Sequence, residues 1–174
     1  YKLFAVFGLL LTFILGIAAY MDNNREWKKY QNDFFQLELK KASTPEEKAA
    51  VIAVSEIKQI MAPELKRVDR CITCHAGVDN PKFANENKIY KTHPNFEQHP
   101  FENFGCTICH WGQGMATTVK AAHGKVRGWA EPMREKEYIQ VSCGKCHSET
   151  EVKGAPLLSL GRKLYLEKGC VGCH

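Results

Sequence analysis

The sequence predicts a mainly α-helical protein: a single N-terminal transmembrane helix, amphipathic helices after it, and a loop-rich remainder organised around bound groups. Three observations predict this. Residues 3–20 carry no charge, apolar side chains recur at helical steps between residues 27 and 61, and the pentapeptide Cys-x-x-Cys-His occurs four times after residue 70. They divide the 174 residues into an anchor over 1–21, an amphipathic helical connector over 22–62, a region with three pentapeptides over 63–153, and the start of a fourth over 154–174.

The first element is the run LFAVFGLLLTFILGIAAY from Leu3 to Tyr20, where Thr12 is the one clearly polar side chain before the terminal tyrosine. Eighteen residues make a helix of roughly 27 Å, close to the hydrocarbon thickness of a bilayer. A secretory signal peptide is the rival, and Gly16-Ile17-Ala18 has the small residues of a cleavage site. The run is longer than the usual apolar stretch of a signal peptide, which favours a retained anchor.

Met21 to Met61 reads as helix. Trp27, Tyr30, Phe34 and Leu37 form one apolar stripe among charges. Thr44-Pro45-Glu46-Glu47 then offers an N-cap, a proline at the first helical position and a capping-box glutamate. The periodicity predicts a second amphipathic helix with Ala50, Val51, Val54, Ile57 and Met61 on one side. A stripe reports burial against something. It fits packing within the chain and docking against neighbouring membrane subunits equally. Trp27 and Tyr30 also suit the aromatic belt at a membrane surface.

The pentapeptides carry the chemistry. They are Cys71-Ile-Thr-Cys74-His75, Cys106-Thr-Ile-Cys109-His110, Cys143-Gly-Lys-Cys146-His147 and Cys170-Val-Gly-Cys173-His174. Cys-x-x-Cys-His is the attachment signature of c-type haem. Two thiols one turn apart form thioethers to the porphyrin edge, and the adjacent histidine reaches the iron as proximal ligand. All eight cysteines of the chain fall in these motifs. Zinc ribbons give no reason for a histidine after every second cysteine, and a disulfide framework gives none for this spacing four times over. The expectation is a multihaem cytochrome c with four covalently attached haems c in this chain. Cys71, Cys74, Cys106, Cys109, Cys143, Cys146, Cys170 and Cys173 are the attachment residues, with His75, His110, His147 and His174 as proximal ligands.

Between the motifs lie 30, 32 and 22 residues, and Pro63, Pro81, Pro94, Pro100, Pro132 and Pro156 break the chain. Such segments are too short to build a protein core of their own. The haems are therefore expected to form the core of a loop-rich multihaem cytochrome c domain, close to one another as electron transfer requires. Gly161-Arg-Lys-Leu-Tyr165-Leu-Glu-Lys-Gly169-Cys170 resembles the first helix of a small monohaem cytochrome c domain. On that likeness the chain is expected to continue beyond His174, where an axial methionine would follow.

Haem c is attached on the exported side of a bacterial membrane. The residues after Tyr20 are therefore expected on the periplasmic face of a bacterial inner membrane, with a single pass. Arg25, Lys28 and Lys29 after the apolar run and only Lys2 before it oppose the positive-inside rule. The chain opens on Tyr1, so cytoplasmic residues are expected before it, and the haem argument takes precedence.

Seven histidines occur. Four are proximal, which leaves His93, His99 and His123 as candidate distal ligands, since a second strong axial ligand is the usual electron-transfer arrangement. The fourth haem needs another ligand, from Met61, Met115, Met133 or chain beyond His174, and a methionine would raise its potential. Doubly ligated irons leave no place for a substrate, and no other acid–base or nucleophile constellation stands out. The expectation is electron transfer, with no catalytic residues assigned.

The formal charge of +5 does not point to nucleic acid. Porphyrin carboxylates on four haems add on the order of eight negative charges. Local lysine patches remain able to steer a redox partner.

The run Val68-Asp69-Arg70-Cys71 to His75, followed by His99-Pro-Phe-Glu-Asn-Phe-Gly105-Cys106 to His110-Trp-Gly-Gln-Gly114, resembles a group of membrane-anchored multihaem cytochromes c. These accompany cytochrome b-type quinol-oxidising complexes in bacterial respiratory chains. Ala122-His123-Gly124 and the spacing from His147 to His174 fit as well, so the likeness covers residues 22–174. It implies a subunit relaying electrons from quinol oxidation to periplasmic acceptors, with His93, His99 and His123 as distal ligands. Cytochrome b-type subunits, other cytochromes c and the lipid bilayer are the implied partners. Trp111 departs from the pattern, where a smaller residue is expected before Gly112; stacking on a haem is the reading for it. The alternative resemblance is to tetrahaem quinol dehydrogenases that oxidise menaquinol directly and feed a periplasmic reductase. That family tends to place a methionine shortly after its first motif, where Ala76-Gly77-Val78-Asp79 stands here. A wire polymerising haem to haem is a third class, disfavoured by the anchor.

Overall fold

A computed structural model describes residues 1–94 and 97–173. It is mainly helical, with one two-stranded sheet among the described residues. Two compact units form. One comprises Tyr1–Ile60, Arg70–Glu97 and Thr117–Val119; the other comprises Met61–Asp69, Gln98–Ala116 and Lys120–His174.

The first unit begins with α1 (Lys2–Asn23), a 22-residue helix with no buried residue. It is long and apolar enough to cross a membrane. Its one internal hydroxyl is satisfied locally, since Thr12 Oγ1 donates to the Gly8 carbonyl at 2.9 Å. The Asn24 backbone N–H and side-chain amide both cap the Tyr20 carbonyl, at 3.1 and 2.8 Å. Helix α2 (Glu26–Lys41) follows. Its stripe packs inside this unit: Phe34 meets Phe83 at 4.8 Å and Tyr90 at 5.6 Å between ring centroids. The Tyr90 hydroxyl donates to the Tyr30 carbonyl at 3.0 Å, and Trp27 is buried.

Helix α3 (Pro45–Ala50) starts as expected. Thr44 accepts from the Glu47 N–H at 3.1 Å and Glu47 reaches back to the Thr44 N–H at 3.3 Å, which is a full capping box. It does not continue to Met61. The helix ends at Ala50, and Val51 turns to φ −74°, ψ 119°. Two causes act together. Val51, Ile52, Val54 and Ile57 are β-branched and lose rotamer freedom in a helix. The backbone of this segment also bonds elsewhere. The buried Gln31 side chain accepts from the Glu56 N–H at 3.1 Å and donates to the Glu56 carbonyl at 2.6 Å and the Thr73 carbonyl at 3.1 Å. Thr73 Oγ1 donates to the Lys58 carbonyl at 2.7 Å. Residues 56–58 are thus stapled to the first pentapeptide.

The second unit is built on short pieces. Strand β1 (Ile60–Ala62) pairs with β2 (Arg67–Asp69) across a single 3-10 turn at Pro63–Leu65. Helices α4 (Phe101–Phe104) and α5 (Thr107–His110) follow, then α6 (Val119–Ala122). A 3-10 stretch over Lys136–Lys145 packs on both α5 and α7 (Pro156–Glu167). Gln140 Oε1 caps α7 by accepting from the Leu157 N–H at 2.7 Å.

Candidate haem attachment sites

In each copy the Cys-x-x-Cys stretch folds as one turn in which the second cysteine's N–H bonds to the first cysteine's carbonyl. The distances are 3.1 Å for Cys74 to Cys71, 3.2 Å for Cys109 to Cys106, 3.2 Å for Cys146 to Cys143 and 3.1 Å for Cys173 to Cys170. In the first three copies the histidine N–H bonds to the same carbonyl, at 2.9, 2.9 and 3.0 Å. His174, the expected fourth proximal ligand, lies outside the described residues. Among the described residues no disulfide joins any of the eight cysteines.

The turns are held from outside by side chains that carry no signature. Asp69, 1% exposed, organises the second one. Its Oδ2 accepts from the Cys106 N–H at 2.9 Å, the Thr107 N–H at 3.1 Å and the Thr107 hydroxyl at 3.0 Å. Glycines make room for it. A Cβ on Gly105, which sits at φ 70°, would meet the Asp69 carboxylate, and one on Gly114 would meet Asp69 and the Val68 carbonyl. In the third turn Arg162 donates to the carbonyls of His147 and Glu149.

Turns two and three are joined directly. Ser142, adjacent to Cys143, donates to the Cys109 carbonyl at 2.7 Å and accepts from Trp111 Nε1 at 2.9 Å. Trp111 itself ends α5 at φ 64°, a left-handed position where glycine is usual. Its ring is occupied by cations, with the Arg134 guanidinium 3.7 Å and Lys145 Nζ 4.4 Å from the centroid. Burial pushes the Cys109 thiol up, reinforced by the neighbouring Cys143, Cys106 and Cys146. Burial, with help from Glu26, pushes the Cys74 thiol to about 11.

The ring nitrogens suit iron ligation. His75 Nδ1 lies 3.0 Å from the Ile89 carbonyl and His147 Nδ1 faces the Glu149 carboxylate at 3.6 Å. Such partners hold the ring through Nδ1, the arrangement that metal-ligating histidines use. Of the candidate distal ligands, His93 is in the first unit with His75, while His99 and His123 are in the second with His110 and His147. His93 bonds through its N–H to the Val78 carbonyl at 2.9 Å, and its Nδ1 stands 2.7 Å from the Pro94 carbonyl. The His123 carbonyl accepts from the Met133 N–H at 3.0 Å. The His99 ring meets that of Phe104 at 5.0 Å and that of His147 at 5.9 Å between centroids. Met61, Met115 and Met133 are exposed.

The residues present fit haem c. Paired thiols on one turn, a histidine beside them and ring nitrogens fixed by acceptors are the donor set the group needs. Arg134 Nε is also buried with no hydrogen-bond partner. It offers an unmatched donor beside the second turn, where the Arg134 N–H bonds to the His110 carbonyl at 2.8 Å. Sequence reasoning missed Asp69, Gln31, Ser142 and Arg162. Each is a single polar residue acting on backbone far away in the chain, which leaves no local pattern to find. Comparison of the chain with protein-family models, with curated proteins and with solved structures found no match.

Proposed function

We propose that this chain is a membrane-anchored, periplasmic multihaem c-type cytochrome. It relays electrons from a cytochrome b-type quinol-oxidising complex of a bacterial inner membrane to downstream cytochromes c. One observation carries the reading: the same hydrogen-bonded Cys-x-x-Cys-His turn recurs, and turns two and three are joined through Ser142. Bound at such turns, haem c supplies reversible one-electron chemistry. The cysteines would hold each group covalently, His75, His110, His147 and His174 would take one axial position, and His93, His99 and His123 are the candidates for the other. Arg134 and Lys145 would offset porphyrin carboxylates.

The composition of the second unit supports haems as its core. Among its described residues the buried hydrophobic side chains are Ala62, Val152 and Ala155. Three buried apolar side chains are a small core for a unit of this size. Leu157, Leu160, Leu164 and Leu166 on α7 are exposed, apolar surface of the kind a porphyrin covers. Helix α1 supports the anchor.

The test is reduction of the detergent-solubilised holoprotein by a menaquinol analogue, followed by haem absorbance. Reduction only after a cytochrome b-containing partner is restored is the expected outcome. Rapid reduction of the isolated chain would replace the relay with a quinol dehydrogenase.

A further inference from the structure

We infer that His99 and His147 are the two axial ligands of one iron, that of the haem attached at Cys143 and Cys146. The inference rests on the haem reading above and assigns a specific pair within it. The two rings stand 5.9 Å apart between centroids, with planes at 69°. Two imidazoles on opposite sides of a metal are held about 6 Å apart, from two metal–nitrogen bonds of about 2 Å and the distance from each nitrogen to its ring centre. The observed separation has that size.

Each ring is held by its own surroundings. The His147 N–H is bonded to the Cys143 carbonyl at 3.0 Å, its carbonyl accepts from Arg162, and its Nδ1 faces Glu149 at 3.6 Å. Nε2 is left for the metal. His99 is followed by Pro100, which restricts its backbone to extended conformations. On its far side in sequence, α4 places Phe104 edge-on to the imidazole at 5.0 Å, 64° between planes. Neither arrangement needs the other ring to explain it, yet the two meet at the metal-bridging separation.

The pairing interlocks successive motifs. His99 precedes Cys106, so the strand of chain leading into the second motif supplies a ligand to the third haem. The second motif in turn accepts the Ser142 hydroxyl through the Cys109 carbonyl. An iron ligated by both histidines is closed to added ligands.

The test uses the full-length holoprotein with four motifs, and a parent lacking the third haem through Cys143→Ser and Cys146→Ser. Haem content is measured by pyridine haemochromogen, and spin state by electron paramagnetic resonance. His99→Ala in the four-haem protein is expected to convert one low-spin haem per chain to high spin. The same change in the three-haem parent is expected to add no high-spin haem. An equal gain in both backgrounds would assign His99 to another iron, and no gain in the four-haem protein would reduce it to a ring contact. His99→Met, which keeps an axial ligand, is expected to stay low-spin while one midpoint potential rises in a redox titration. Unchanged potentials overturn the pairing even where the alanine variant loads haem poorly. Absence of covalent haem from the unaltered protein would instead overturn the reading beneath it.

Discussion

Asp69 accepts both the backbone N–H and the hydroxyl of Thr107, at 3.1 and 3.0 Å, across 38 residues of chain. One carboxylate oxygen thereby fixes the start of the second Cys-x-x-Cys-His turn. Removing it leaves donors stranded around a site that is 1% exposed. Asp69→Ala is expected to cost about 3 kcal/mol and to lower haem content, read by denaturant unfolding and haemochromogen. Asp69→Asn, which keeps an acceptor of the same shape, is expected to lose less. Equal stability of all three proteins would remove Asp69 from this role.

Tyr90 gives the first unit an alkaline limit. Burial, with smaller contributions from Asp33, Tyr30 and Cys74, pushes its phenol up to about 12. A raised folded-state pKa favours the protonated form in the fold. Its contribution is complete below the unfolded value near 10 and is lost as pH rises toward about 12. Tyr90→Phe keeps the ring against Phe34 but removes the bond to the Tyr30 carbonyl. It is expected to cost about 1 kcal/mol at neutral pH and to flatten the fall in stability between pH 10 and 12. Parallel pH profiles for the two proteins would contradict this.

The Cys74 thiol, pushed to about 11, is expected to stay protonated at neutral pH. The thiolate is the nucleophile, so iodoacetamide should modify Cys74 more slowly than the exposed Cys146, Cys170 and Cys173. Peptide mapping after timed alkylation measures the order. Labelling of Cys74 first would show that its burial and the nearby Glu26 do not govern it.

Trp111 links α5 to the third turn through Ser142. Trp111→Phe keeps an aromatic face for Arg134 and Lys145 but removes the indole N–H. A loss of about 1 kcal/mol is expected. Trp111→Ala removes the cation contacts as well and is expected to lose about 1 kcal/mol more. Thermal unfolding of the pair distinguishes the hydrogen bond from the ring.

Helix α1 exposes Phe13 at 67% near its midpoint. An arginine at the centre of a spanning helix costs about 3 kcal/mol. Phe13→Arg is therefore expected to move a substantial share of the protein from the carbonate-resistant membrane fraction to the soluble one. An unchanged distribution would mean that something other than this helix holds the chain to the membrane.

Local rules made three local features legible in advance: the Cys-x-x-Cys turns, the capping box and the apolar helix. The Cys-x-x-Cys-His spacing places both thiols and the histidine on one turn wherever the chain folds that way, and the capping box at Thr44 and Glu47 needs only three residues of separation. The uncharged run of α1 is likewise a property of consecutive residues. Tertiary structure decided the rest. The helix beginning at Pro45 stops at Ala50 because Gln31 and Thr73, distant in sequence, take the backbone of Glu56 and Lys58. Asp69 finds Thr107, Ser142 finds Cys109, and the His99 ring meets that of His147. Each is a single polar or aromatic residue whose partner is set by the path of the chain. Periodicity and spacing hold no record of such pairs, because their energy depends on closing long loops rather than on neighbouring residues.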